Sequence, residues 1–237
     1  AYAMVIRDWS SDVCSSDLAN NAVSVMPTDN LILTFSENIK QGTSGSIKIY
    51  NSNATVFETI PYNDSRVTIS NNIVTINPSS SFVSSSSYYV NIDGTVFQNL
   101  SGGFYTGISG NTGWSFSVKD VILPTIQSLN PVDNSTSVST TDKLILTFTE
   151  DVKRGTDGSI TIYNSNATVF ETIPYSDSRI LFQGNTVTVN PSSNFSAGLV
   201  YYVNIDNNVI ADHYNNYFAG ISSNSEWYFT IPTSSSV

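Results

Sequence analysis

YNSNATVFETIPY, residues 50–62, stands a second time, letter for letter, at residues 163–175. The stretch reads as two strands about a turn. Ser46-Ile47-Lys48-Ile49-Tyr50 alternates polar and apolar residues, so Tyr50 closes one strand. Asn-Ser-Asn-Ala makes the turn, because Asn and Ser side chains bond their own backbone. Thr55-Val56-Phe57-Glu58-Thr59-Ile60 is rich in β-branched and aromatic residues and forms the next strand, stopped by Pro61 or Pro174. The stretch holds one carboxylate per copy, so no acid–base pair lies within it.

Outward from this hairpin, residues 19–118 align with residues 132–231 without a gap, and more than half of the paired positions are identical. The shared blocks include LILTF at Leu31 and Leu144, YYVNID at Tyr88 and Tyr201, and W-x-F at Trp114 and Trp227. A repeat of this length is a whole domain. Val74-Thr75-Ile76, Tyr88 to Ile92 and Trp114 to Val118 add further strands with period 2, and Leu31, Leu33 and Phe35 alternate with Ile32 and Thr34. No window holds a helical period. About seven strands in ~100 residues predict an all-β chain of two tandem antiparallel Ig-like β-sandwich domains. The expected division is a head at 1–18, a first domain at 19–119, a second at 120–232 and a tail at 233–237. Residues 123–131 serve as linker and first strand of the second domain, with Pro124 and Pro131 at the ends, as an edge strand tolerates.

The chain has 237 residues, of which only 12 % are charged, with a net charge of −10. A nucleic-acid binder needs a basic stripe that releases phosphate counterions, and this balance excludes one. Anionic membrane surfaces are disfavoured for the same reason, and no apolar run approaches the ~18 residues of a membrane span. Hard cations are favoured, because Ca2+ takes carboxylate and carbonyl oxygens. Cys14 is the single cysteine, so no intrachain disulfide forms. The start, AYAMVIRDWSSD, lacks an apolar core of signal-peptide length, so an export signal is expected outside these residues.

Several blocks recur twice in one order: the Pro124 to Pro131 lead-in, LILTFSENIKQG and LILTFTEDVKRG, NxVTxNPSSxF, YYVNID, a long loop with Gly107-Ile108 or Gly220-Ile221, and W-x-F. In these the chain resembles the bacterial Ig-like domains of the S-layer type, the SbsA Ig-like family. The resemblance covers nearly all of residues 19–231. It implies an antiparallel sandwich used as a repeated module in large bacterial surface proteins, adhesins and secreted enzymes, with no activity of its own. It also implies an extracellular or cell-surface location, and partners that are further copies or neighbouring Ig-like domains. The family often carries Asp-x-x-Gly-Asn in the long loop. Here Asn99 to Gly103 and Asp212 to Asn216 both depart from it. The head, VIRDWSSDVCSSDL, resembles a peptide produced by adaptor read-through. On that reading residues 5–18 replace the native first strand; the other reading is a divergent native strand. If no proper first strand precedes Ala19, a strand from a neighbouring subunit fills the groove by β-augmentation.

No catalytic residue is expected. His213 is the only histidine and has Leu100 at its counterpart position. Trp114 and Trp227 share a strand face with Phe116 and Phe229, so core packing outweighs sugar stacking. One tyrosine of Tyr88/Tyr89 and of Tyr201/Tyr202 is expected inside and the other outside. In an Ig-like sandwich Glu37 and Glu150 follow the second strand, Asp93 and Asp206 follow the sixth, and Asp212 sits in the long loop after it. These carboxylates are expected to converge at one end, with Asp151 and Asp120 as candidates to join, and to supply oxygens for Ca2+. The alternative role is binding of glycan or protein through the long loops 93–111 and 206–224.

Overall fold

In a computed structural model the described residues are 18–233. The chain divides into two compact units, residues 1–120 and 121–237. Among the described residues there is no helix, and none long and apolar enough to cross a membrane. Of the head, only Leu18 lies within the described residues.

The first unit holds β1 (Ala22–Val25), β2 (Leu31–Thr34), β3 (Ile39–Gln41), β4 (Ser46–Asn51), β5 (Val56–Pro61), β6 (Val67–Ser70), β7 (Ile73–Ile76), β8 (Ser87–Ile92), β9 (Phe97–Asn99) and β10 (Ser115–Val118). One sheet runs β1-β10-β8-β4-β5, a second β2-β7-β6, and β3 pairs with β9. The second unit holds β11 (Ile126–Asn130), β12 (Leu144–Phe148), β13 (Val152–Arg154), β14 (Ser159–Asn164), β15 (Val169–Pro174), β16 (Ile180–Gln183), β17 (Thr186–Val189), β18 (Val200–Ile205), β19 (Ile210–Asp212) and β20 (Tyr228–Thr230). Its sheets run β15-β14-β18-β20 and β11-β12-β17-β16, with β13 on β19. The fold is therefore all-β, in two tandem Ig-like sandwiches. Ten strands per unit replace the seven or so expected. The three-residue ladders β3–β9 and β13–β19 are too short to show a period in sequence.

Alternation places the cores. Ile47 and Ile49 of β4, Val90 of β8 and Val74 and Ile76 of β7 are fully buried, as are Ile160, Ile162, Val203, Val187 and Val189 in the second unit. Burying one such side chain contributes roughly 1.5–3 kcal/mol. Trp114 and Trp227 sit at the centre of these cores with no exposed surface. Tyr88 and Tyr201 point inward, and Tyr89 stacks on Tyr50 at 4.9 Å on the opposite face. Tyr202 stacks on Tyr163 at 4.9 Å and is covered as well, so both tyrosines of this pair are buried where one was expected outside.

The linker strand is found at β11, which pairs antiparallel along β12 from Asn130 opposite Ile145 to Ile126 opposite Phe148. Both units also tie their two ends together. β1 runs parallel to β10, with Ala22 opposite Phe116 and Val25 opposite Val118. Ser135 makes the equivalent parallel bridge to Phe229.

Candidate functional site

Of the acidic residues singled out from sequence, Glu37, Asp93, Glu150, Asp151 and Asp206 lie on loops, and Asp212 ends β19. Asp93 follows β8, and its Oδ2 accepts from the Ser46 amide at 2.9 Å and the Ser46 hydroxyl at 3.1 Å. Asp206 follows β18 and accepts from Ser159 in the same way, at 2.9 and 3.1 Å. Each carboxylate thereby fastens the start of β4 or β14. Gly45 and Gly158 precede these serines at φ +90 and +86, where an added Cβ would meet the Asp93 or Asp206 Cβ at 2.8 or 2.7 Å. The close approach requires glycine.

Glu37, on the loop after β2, accepts from Asn99 Nδ2 at 3.4 Å. Asn99 in turn accepts from the Gly103 amide at 2.7 Å. In the second unit the corresponding pair is Glu150 and Asp212, which bring carboxylate oxygens within 4.8 Å of each other. Asp212 is 1 % exposed. Its Oδ1 accepts from the amides of Tyr214 and Asn216 at 2.8 and 2.7 Å, and Oδ2 from Asn216 Nδ2 at 2.8 Å. Asp151 is exposed beside Gly184, and Asp120 accepts from the Ser84 hydroxyl at 3.0 Å within the first unit. Among the described residues, Glu37, Asp93, Asp151 and Asp206 belong to no group of three or more Asp, Glu, His or Cys side chains with ligand atoms that close.

The long loops are tied down over much of their length. β9 and β19 lie within them, and Ile108 and Ile221 bridge back to Ile92 and Ile205. What remains open is the tip: Leu100 and Phe104 are 62 and 44 % exposed in the first unit, and Tyr214 is 59 % exposed in the second. His213 is exposed at that tip. Its carbonyl accepts from Lys153 Nζ at 3.3 Å. The tryptophan faces are closed to a sugar, and each indole donates inward, Trp114 to Leu18 O and Trp227 to Pro131 O, both at 2.8 Å.

Sequence reading missed one constellation, an arginine between two carboxylates, present in both units. Arg66 pairs with Glu58 and with Asp64, the latter at 2.8 Å. Arg179 pairs with Glu171 and with Asp177, the latter at 2.8 Å. The available signal was Asp-Ser-Arg at 64–66 and again at 177–179, one turn beyond the repeated stretch.

Two antiparallel sandwiches in tandem, the first closed by the parallel pair β1–β10 and the second by a parallel bridge from Ser135 to Phe229, define a chain of Ig-like domains. The family described as Bacterial Ig-like domain matches residues 10–118 and again 120–231, and the chain belongs to that family. The first match starts ahead of Ala19, where the internal alignment stops. Among solved structures, the chain is similar to the BSP domain of a biofilm-associated protein at 13 % identity and TM-score 0.24, covering 94 % of this chain and 30 % of that one. It is similar to the I-band fragment I67-I69 of titin at 10 % identity and TM-score 0.41, covering 90 % of this chain and 64 % of that one. It is also similar to the N-terminal part of the bacterial S-layer protein SbsC, at 12 % identity and TM-score 0.29, covering 85 % and 42 %. This chain thus spans less than two thirds of each of these structures. No curated protein matches it.

Proposed function

We propose that this chain is a non-catalytic, load-bearing segment of an extracellular bacterial surface protein, of the S-layer type, in a stalk, adhesin or filament. The observation that carries the reading is the parallel pairing of each unit's two ends. Asn21 N donates to Ser115 O at 2.7 Å and Lys119 N to Val25 O at 2.8 Å. Asn134 N donates to Tyr228 O at 2.7 Å and Thr230 N to Ser135 O at 2.8 Å. Tension applied through the chain pulls such strands past each other. Their hydrogen bonds are then loaded together in shear, whereas a hairpin opened from its free end loses them one at a time. Single-molecule pulling of the chain is expected to give two unfolding peaks, each lengthening it by roughly 30 nm, as ~100 residues extend. Extension without force peaks would remove the mechanical reading.

A finer form of the same role is head-to-tail assembly, in which a strand like β11 from another copy lies along β2. The pairing of β11 with β12 supports it, since it shows how such a strand is received. Light scattering that finds only monomer up to millimolar chain would exclude it. Calcium stiffening is the second element. It is supported by the second unit, where Asp212 and Glu150 bring two carboxylates together at the place held by Asn99 and Glu37 in the first. Cation binding would offset their mutual repulsion. Calorimetry is expected to show Ca2+ heat that Asp212→Asn abolishes, and no heat at millimolar Ca2+ would overturn it.

The alternative is a glycan- or protein-binding module, favoured by the exposed Leu100, Phe104 and Tyr214 at the loop tips. A glycan array gives spots in that case and none for a purely mechanical segment.

A further inference from the structure

The arginine constellations stand where each sandwich is open. β5 is the outer strand of the five-stranded sheet, and β6 is the outer strand of the three-stranded one. The chain crosses between them at residues 62–66. Glu58 projects from β5, and Asp64 and Arg66 lie at the entry to β6. Arg66 uses its whole fork. Nη1 reaches Glu58 Oε1, Nη2 donates to Asp64 Oδ2 at 2.8 Å, and Nε donates to Asp64 Oδ1 at 3.0 Å. The other oxygen of Glu58 accepts from the Ser79 amide at 2.9 Å, beyond the end of β7. One ionic cluster thus joins a strand of one sheet, the crossing, and the end of the other sheet. The second unit repeats it from Glu171 to Arg179, Asp177 and the Ser192 amide at 2.8 Å.

We propose that each cluster is an acid-releasable latch between the two sheets of its sandwich. The forked, charge-assisted bonds of arginine are the strong kind. The other holds on the first crossing are backbone bonds, Tyr62 N to Gly45 O, Asp64 N to Pro61 O, Val67 N to Asp64 O and Asn77 N to Arg66 O, and the Gln41 Nε2 bond to Tyr62 O. On the second, Arg154 adds bonds to the carbonyls of Tyr175, Asp177 and Ile180, none of which titrates in acid. The charged and polar groups facing the carboxylates favour the charged form, and burial opposes it at Glu58 and Glu171. Glu58 faces the Arg66 charge and Ser79, with apolar Ile49 opposite it on β4. Asp64 faces Arg66, and in the second unit the Arg154 charge reinforces Arg179 at Asp177. Protonation leaves the guanidinium charged and without its anionic partners.

The direction follows from the carboxyls. The Arg66 side-chain bonds hold Asp64 down to about 2. Burial pushes Glu58 up, but the Arg66 and Ser79 bonds outweigh it and bring the group below its ordinary range. Glu171 and Asp177 are lowered in the same way. A carboxyl lowered in the folded state stabilises above its unfolded pKa, about 4, and the contribution is lost as pH falls through the folded value. The latch is therefore closed at neutral pH and opens between about pH 4 and 2.

Hydrogen exchange of the full chain, read by mass spectrometry at pH 7 and about pH 3 with intrinsic rates corrected, tests this. Peptides spanning 57–67 and 170–180 should lose protection roughly tenfold in acid while β8 and β18 keep theirs. Glu58→Gln with Glu171→Gln should show part of that loss already at pH 7, with a smaller further loss in acid as Asp64 and Asp177 protonate. Arg66→Lys with Arg179→Lys, which keeps the charge and loses the fork, should fall between. Equal protection of the corners at both pH values, or loss of corners and β8 together, would overturn the latch. So would glutamine variants that match the wild type at pH 7. If those variants unfold, their β8 and β18 peptides report it, and the wild-type pH pair with the lysine variant decides.

Discussion

The two units set the same thirteen residues into the same surroundings and then part company at their loop ends. In the hairpin, Asn51 Nδ2 donates to Thr55 Oγ1 at 2.9 Å and Thr55 Oγ1 donates to Asn53 Oδ1 at 2.6 Å. Asn164, Thr168 and Asn166 repeat both distances. At the loop end, Gln41 Nε2 gives one bond to Tyr62 O at 2.9 Å. Its counterpart Arg154 reaches the carbonyls of Tyr175, Asp177 and Ile180, the last two at 3.1 and 2.8 Å. Asn99 has likewise become the buried Asp212. The hairpin is bonded to itself and to its own core, so copying its sequence copies its structure. The loop ends are joined by side chains from several loops, and one substitution there changes the charge of the whole cluster.

Replacing the central indoles tests the shared part most severely. Trp114→Ala and Trp227→Ala should each cost about 3–5 kcal/mol. The losses should agree within about 1 kcal/mol, because burial and the inward bond are the same in both units. Chemical denaturation read unit by unit, by hydrogen exchange of β8 and β18 peptides, measures this, and a wider gap would break the equivalence of the cores. Next come Gly42→Ala and Gly155→Ala. An added Cβ would stand 1.9 Å from Thr95 O or Asn208 O. The backbone must move, at a cost of ~3 kcal/mol in either unit. A melting temperature unchanged in one unit alone would show that its loop end yields where the other does not.

Arg154→Gln removes the difference directly. The second unit should lose about 1–2 kcal/mol as charge-assisted bonds to carbonyls are given up, and its melting transition should move toward that of the first. If it does not move, the extra bonds of Arg154 are offset by the ordering of its side chain. The smallest effect belongs to the turn. Asn53→Ala and Asn166→Ala each remove an acceptor for Thr55 or Thr168, worth about 0.5–1 kcal/mol. Unequal losses in thermal melts would mean that identical turns feel their units differently.

Much of the fold was legible in the residues themselves. Duplication showed in the gapless alignment, because a domain copied whole keeps its loop lengths. Strands such as β4 and β8 showed in their period of 2, because a sheet has one buried face. The core tryptophans followed from the same alternation, and the lead-in before Pro131 was recognisable as β11; which tyrosine of each pair points inward was not assigned. Only the tertiary structure decided what the acidic residues do. Asp93 and Asp206 turn back to hold Ser46 and Ser159, 47 residues away in sequence. Asp212 is buried by the amides of its own loop. Arg66 draws Glu58 and Asp64 together across two sheets. Alternation records which face a side chain takes. It carries no information on which of several exposed charges meet when loops distant along the chain are brought to one edge, and that meeting sets both the latch and the acidic end of the second unit.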